Sequence, residues 1–378
     1  MIDYPVAFNT LGEEEWTAIA RVHASKQYTM GEEVAAFEQE FAAYHGLKHA
    51  IMVNSGSSAN LLMIAALFAQ GRLKQGDVAL VPALAWATTY APLVQHGLVL
   101  RLLDCDATWN APVAKDLPPT KLIVGCSILG NPAYASQWFA YARNHAAIYI
   151  EDNCESIGAR FAYLPPGSGH GRDIRWQLTG TLGLMNSFSF FWSHQLSAIE
   201  GGMVLTDDDE CAELCCMLRD HGMVRGQGGF DSQYDFRIMG YNLRPLELHA
   251  AIASEQLKKI EAFQRQRVQN ENNFQTWAMG LPIAVPLRHG RPSPFGIQFC
   301  VTDNETRLRL ANELRAGGVD CRLPTGGSFH LHKYGVLWAD QPTSNADIIH
   351  RTGMFLGNAP FPLDEKIQRA VKVMRGVL

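Results

Sequence analysis

Small and hydroxyl-bearing residues gather at Asn54-Ser55-Gly56-Ser57-Ser58-Ala59-Asn60, directly after a short apolar run from Ala50 to Val53. At a helix N-terminus such a segment turns backbone N–H groups and hydroxyls toward an anion, assisted by the helix dipole. The same residues would also serve as an ordinary N-cap, so phosphate binding is one of two readings. The run Ile148-Tyr149-Ile150 ends in Glu151-Asp152-Asn153-Cys154-Glu155-Ser156. Open α/β sheets place ligands at the carboxyl ends of their strands. A carboxylate there can pair with a protonated pyridine nitrogen and turn the ring into an electron sink, or it can cap a following helix. Trp86 ends the run Leu80-Val81-Pro82-Ala83-Leu84-Ala85 and has a flat face for stacking on a heteroaromatic ring or for core packing.

The stretch from Ser187 to Val204 carries the most chemistry. An aromatic-rich run, Phe188-Ser189-Phe190-Phe191-Trp192, leads into Ser193-His194-Gln195, and Gly201-Gly202 then opens another apolar run. Imidazole moves protons near neutral pH but forms no lasting imine with an aldehyde. No lysine occurs between Lys121 and Lys258, so this span offers no amine to anchor an aldehyde cofactor.

In their order these segments resemble the nucleotide-sugar aminotransferase family, the DegT/DnrJ/StrS group, over nearly the whole chain. Met30-Gly31, Ser55-Gly56-Ser57, Glu151 to Ser156, Gly201-Gly202 and Gly240-Tyr241-Asn242-Leu243-Arg244-Pro245-Leu246-Glu247 all fit in sequence. His194 stands where that family carries its cofactor lysine. The resemblance implies an aspartate-aminotransferase-like α/β fold, pyridoxal-phosphate fold type I. Its large domain would hold a mostly parallel sheet, beside a smaller α+β C-terminal domain.

The resemblance further implies pyridoxal 5′-phosphate or pyridoxamine 5′-phosphate bound without a covalent link. Gly56, Ser57 and Ser189 would hold the phosphate, Asp152 the pyridine nitrogen and Trp86 the ring face, with Glu155 close by. Asn242 would reach in from the neighbouring subunit of a homodimer. His194 would be the catalytic proton shuttle, while His221, Arg225 and Arg244 match positions near the sugar. L-glutamate is the implied amino donor and a nucleotide-linked keto sugar the implied substrate, in deoxysugar and O-antigen biosynthesis. Within the family the chain is most similar to the histidine-bearing 3-dehydratases, which remove the C3 hydroxyl of a 4-keto-6-deoxy sugar such as GDP-4-keto-6-deoxymannose. It departs from them at Gln195, where they have a second histidine. Two alternatives stand beside dehydration: amino transfer with histidine in place of lysine, and a non-catalytic binding protein on the same fold.

Placing these residues together calls for strands alternating with helices. Strand-like runs are predicted at Val78 to Trp86, Leu98 to Asp104, Leu122 to Leu129, Ala147 to Ile150, Ser187 to Phe191 and Met203 to Thr206. Helical segments fall at Ala59 to Phe68, Ala133 to Asn144 and Glu210 to His221. This alternation predicts crossover connections and a mostly parallel sheet covered on both faces, since its strands read as nearly continuous apolar runs. A long helix is predicted from Leu246 to Trp277, then a strand at Gly296 to Val301 and helices at Glu305 to Ala316 and Ala346 to Phe355. The division expected is a large domain over 1–250 and a small one over 251–378.

Composition narrows the function classes. The 378 residues are 47% hydrophobic and 18% charged, with a net charge of −5. No basic stripe exists to neutralise a nucleic-acid backbone. The longest apolar stretches, such as Leu61 to Ala69, reach about half of a membrane span, and the start of the chain lacks the pattern of a secretory signal. A cytoplasmic enzyme with no membrane partner is expected. The eight cysteines include no C-x-x-C pair and read as small buried hydrophobes in a reducing compartment. Cys211, Cys215 and Cys216 share one predicted helix, where packing is favoured over a metal site, and no metal is expected. Asp207-Asp208-Asp209-Glu210 is expected at a solvated helix N-terminus.

Overall fold

The computed structural model describes residues 2–163, 174–224, 233–338, 341 and 343–378. Its large sheet is assembled from short apolar strands: β1 (His49–Val53), β2 (Val78–Pro82), β3 (Val99–Leu103), β4 (Leu122–Cys126) and β5 (Ile148–Asp152). A two-stranded ribbon, β6 (Arg160–Tyr163) with β7 (Arg175–Leu178), precedes β8 (Asn186–Ser189) and β9 (Gly202–Thr206). The order across the seven strands is β1-β9-β8-β5-β4-β2-β3. Every pairing is parallel except the two made by β9. The expected mostly parallel α/β sheet is therefore present, with one reversed strand.

Successive side chains on a strand point to opposite faces, and the core divides accordingly. Ala79, Val81, Leu122 and Val124 enter one cluster, together with residues of α3 (Gly56–Ala69), α4 (Ala87–Gln95) and α6 (Asp209–Arg219). Leu80, Ile123 and Tyr149 enter another against Trp138 and Ala142 of α5 (Ala135–Asn144). Burial on both faces is why these strands carry no polar alternation. Cys211 and Cys215 lie in the first cluster and pack there, while Cys216 is exposed. Among the described residues no group of His, Cys, Asp or Glu could hold a metal ion. Asp208 caps α6, its carboxylate accepting from Cys211 N. Among the described residues no helix is long and apolar enough to cross a membrane.

A third layer packs α1 (Glu13–Ser25) and α2 (Glu32–His45) on α7 (Glu247–Trp277). Phe37, Phe41, Phe188, Phe190 and Ile252 meet in its core. Glu247 ties the layer together, its carboxylate accepting from the backbone N–H groups of Gly31, Glu33 and Val34 at 2.8–3.0 Å. These are orphan donors at a helix start, which a carboxylate satisfies well. Between α6 and α7 lies a second short ribbon, β10 (Met223–Val224) with β11 (Asp235–Phe236).

Helix α7 runs unbroken through position 250, and its far end places Phe274 in the core of a second, three-stranded sheet. That sheet consists of β12 (Gly296–Cys300), β13 (Cys321–Arg322) and β14 (Gly353–Gly357), antiparallel with β14 in the centre. Helices α8 (Asn304–Ala316), α9 (Ser344–Thr352) and α10 (Asp364–Val377) accompany it. One expectation is corrected here: the segment Ala346 to Phe355 is not a single helix, because α9 stops at Thr352 and β14 begins at Gly353. Met354 pairs with β12, Phe355 and Leu356 pair with strands on both sides, and all three are buried. Backbone pairing on two edges outweighs the local helical pattern.

Candidate functional site

Strand ends and helix starts converge on one cavity of about 820 Å³. Its floor is Asp152, at the carboxyl end of β5 and almost wholly buried. The Oδ2 atom accepts from Asn60 Nδ2 at 2.9 Å and from the Thr89 hydroxyl at 2.7 Å. Asn60 is oriented in turn by the Ser187 hydroxyl, which donates to its Oδ1 at 2.6 Å. Cys154 N donates to Asp152 Oδ1 at 3.1 Å. A buried carboxylate with this many donors is held in one orientation, and it caps a turn rather than a helix.

Beside it, Ser55 caps α3 by accepting from Ser58 N, which leaves Gly56 and Ser57 in the first turn. Gly56 has no room for a side chain: a Cβ there would stand 2.5 Å from Ser189 Cβ and 2.8 Å from Cys154 Sγ. Gly202 is just as constrained, since its Cβ would fall 2.3 Å from the backbone of Ser55. Gly202 thus lets the start of β9 pass directly against the start of α3. Ser57 Oγ lies 2.8 Å from Thr88 Oγ1. Backbone N–H groups and hydroxyls of Gly56, Ser57 and Ser189 form a cradle suited to an anion. Trp86, immediately before α4, lines the same cavity with 55% of its surface exposed. A tryptophan left this bare in a concave site is available for ring stacking, so the core-packing reading falls.

His194 also lines the cavity, with Phe295 edge-on at 5.1 Å and Phe191 at 5.9 Å between ring centroids. Its Nδ1 lies 3.2 Å from the carbonyl oxygen of Ser189. Burial pushes its pKa down to about 4, against the opposing pull of that carbonyl. Glu155 has the opposite perturbation: burial pushes its carboxyl up to about 7, although Leu129 N donates to it at 2.8 Å. Two titratable groups with pKa values moved in opposite directions in one cleft are the signature of an acid–base site. Among the described residues lining the cavity none is a lysine.

The DegT/DnrJ/EryC1/StrS aminotransferase family model matches residues 9–375. The chain belongs to this family. A GDP-4-keto-6-deoxy-D-mannose 3-dehydratase of Yersinia pseudotuberculosis is 36% identical, with 99% of each chain covered. The E. coli GDP-4-keto-6-deoxy-D-mannose-3-dehydratase with bound hydrated PLP superposes with a TM-score of 0.89 at 36% identity, covering 99% of this chain and all of that one. A GDP-4-keto-6-deoxymannose-3-dehydratase with a trapped PLP-glutamate geminal diamine gives 0.88 at 35% identity, covering 98% of this chain and all of that one. Over this length such likeness also carries the fold, pyridoxal-phosphate fold type I.

Of the family positions named from the sequence, Gly56, Ser57, Trp86, Asp152, Glu155, Ser189 and His194 meet in the one cavity. Asn242, His221 and Arg244 are not among its lining residues. They gather beyond the end of α6, where Asn242 bridges to Asp220. There Arg244 Nη1 donates to Asp220 Oδ1 at 2.5 Å and lies 2.8 Å from His221 Nε2. Arg225 lies outside the described residues. Sequence reasoning missed Asn60 and Thr89 as the partners of Asp152. A signal existed for both: Asn60 is one helical turn beyond Gly56, and Thr89 is three residues beyond Trp86. It also missed what Gln195 does. This buried amide donates to the carbonyls of Glu155 at 2.5 Å and Ser293 at 2.7 Å, bracing the loop that carries Glu155.

Proposed function

We propose that this chain is a pyridoxal/pyridoxamine-phosphate-dependent 3-dehydratase of the sugar aminotransferase family. It removes the C3 hydroxyl of a 4-keto-6-deoxy nucleotide sugar of the GDP-4-keto-6-deoxymannose kind, with L-glutamate as amino donor. The observation that carries the reading is His194, a proton-moving side chain in place of an amine, in a cavity otherwise shaped for the cofactor. We read it as a cytoplasmic enzyme of deoxysugar and O-antigen biosynthesis, divided into a large cofactor-binding part, 1–250, and a smaller part, 251–378.

The residues present fit the group. Gly56, which tolerates no Cβ, leaves the α3 N-terminus open to a phosphate with Ser57 and Ser189. Asp152, immobilised by Asn60 and Thr89, would hold the pyridine nitrogen, and bare Trp86 the ring face. When bound, the cofactor supplies an electron sink that makes its C4′ hydrogen acidic. His194 donates Nδ1–H to Ser189 and so keeps Nε2 as its basic nitrogen, which takes up and returns the proton at C4′. Without a lysine to compete for that carbon, elimination is favoured over simple amino transfer. Glu155 keeps a proton to near neutral pH and lines the same cavity.

Asn242 and Arg244 are assigned to the site of a neighbouring subunit in a homodimer, and His221 and Arg225 to positions near the sugar. That Asn242 and Arg244 do not line this chain's own cavity supports the first assignment. A strictly monomeric species with full activity in sedimentation would contradict it. For the reaction, the test is incubation with glutamate and a 4-keto-6-deoxy nucleotide sugar, followed by mass analysis. A 3-deoxy-4-keto sugar with free ammonia is expected, whereas an amino sugar would overturn the dehydratase reading.

A further inference from the structure

We infer that Arg267, on α7, is a positioning residue for His194: its buried guanidinium clamps the backbone of the proton shuttle and of the aromatic ring packed edge-on against it. The inference rests on the proposed function only in taking His194 as the group that moves the proton. Arg267 is 2% exposed, and among the described residues it makes no ion pair. Its Nη1 donates to Phe295 O at 3.1 Å and to Asn358 O at 2.9 Å, while Nη2 reaches His194 O at 3.4 Å. Phe295 stands directly before β12 and Asn358 directly after β14. The Asn358 amide answers by donating to Arg267 O at 3.0 Å. Three residues on, Asn270 Nδ2 donates to Asn358 Oδ1, Ala359 O and Phe361 O. Residues three apart share one helix face, so this face of α7 gathers the edge of the second sheet and the loop bearing His194.

A buried cation without a carboxylate beside it is costly. Arg219 shows the ordinary remedy, with Glu38 at 2.6 Å. Burial pushes the pKa of Arg267 down to about 10, which still leaves it charged at neutral pH. What its fork of donors meets instead of an anion is three carbonyl oxygens, two of them flanking the imidazole of His194. The clamp extends to the second titratable group of the cavity. Phe295 N donates to Leu129 O at 3.1 Å, and Leu129 N donates to Glu155 at 2.8 Å. The charge also acts on the ring: Arg267 opposes protonation of His194, against the pull of the Ser189 carbonyl and of Asp152. The other charged groups lining the cavity among the described residues are Glu155, Glu200, Arg307, Arg315 and Arg322.

The test is nuclear magnetic resonance of the cofactor-loaded protein labelled in its histidine rings, with the His194 signals assigned by their loss in His194→Asn. Arg267→Met removes the charge at similar length, and Arg267→Lys keeps the charge but loses the fork. The parent should show the single Nδ1–H tautomer, unprotonated down to about pH 5. In Arg267→Met both tautomers should appear, and the protonation midpoint should rise by about half a pH unit or more on loss of a nearby positive charge. Arg267→Lys should show both tautomers with a smaller rise. Turnover of both variants should fall by about 10- to 100-fold, the cost of a misplaced reacting group. The KM for glutamate should stay within about twofold of the parent's, as for a residue that touches no substrate. His194 signals at the parent positions in either folded variant overturn the inference, even where the melting temperature falls. Loss of the fold in both variants does so as well, because it assigns Arg267 to stability alone. His194→Asn turning over at the parent rate would remove the proton shuttle and leave these ring signals as the measure of the clamp, so either reading can fall without the other.

Discussion

The Nδ1 atom of His194 lies 3.2 Å from the carbonyl oxygen of Ser189. A carbonyl only accepts, so Nδ1 carries the hydrogen and Nε2 is left as the base. Ser189, at the end of β8, therefore sets the tautomer of the His194 ring. His194→Asn keeps a donor of similar reach but removes the base. Turnover should fall by about 10²- to 10⁴-fold, the usual worth of a general acid–base group, with cofactor affinity nearly unchanged in equilibrium dialysis. His194→Lys should let borohydride fix the cofactor to the chain, which the parent does not allow. An asparagine variant turning over at the parent rate would remove His194 from the mechanism.

The pH behaviour follows from two opposite shifts. With its pKa pushed down to about 4 by burial, His194 stays a base well below the usual imidazole range. Its contribution to stability is present above the unfolded value near 6.5 and is lost as pH falls through about 4. Glu155, pushed up to about 7, behaves in reverse: its contribution is present below the unfolded value near 4.5 and lost as pH rises through about 7. Melting temperature should therefore decline between those two values in the parent relative to Glu155→Gln. Parallel profiles for the two proteins would show that Glu155 titrates normally.

Gly56→Ala tests the phosphate cradle. The added methyl would stand 2.5 Å from Ser189 Cβ, so one of the two elements must shift. A loss of about 1–3 kcal/mol in urea unfolding is expected from overpacking, together with weaker cofactor retention on gel filtration. Retention at parent level would place the phosphate elsewhere.

Asn60→Ala removes two hydrogen bonds at once, leaving Asp152 and Ser187 each short of a partner in a buried setting. Destabilisation of about 1–3 kcal/mol is expected. Thr89→Val removes one bond to the same carboxylate at similar volume and should cost less. If Asp152 is the ring partner, both variants should also shift the absorbance of bound cofactor. Stability changes with no spectral change would confine this network to a structural role.

Much of the molecule was legible locally. The alternation of apolar runs and helices announced the parallel sheet. Ser55 to Ser57, Asp152 and His194 marked residues that line one cavity. These signals survive in a linear reading because each depends on neighbours in sequence: a cap needs the residue before the helix, and a strand-end carboxylate needs the strand. Tertiary structure alone decided the rest. Asn60 and Thr89 reach Asp152 from 92 and 63 residues away, a meeting made by the crossovers of the sheet rather than by any local pattern. Met354 and Phe355 looked helical until the flanking strands claimed their backbone. Gln195 looked like a gap in a motif, yet it braces Glu155 against Ser293 across the fold. Periodicity specifies which face of an element is apolar, but which faces meet is set by packing the whole chain.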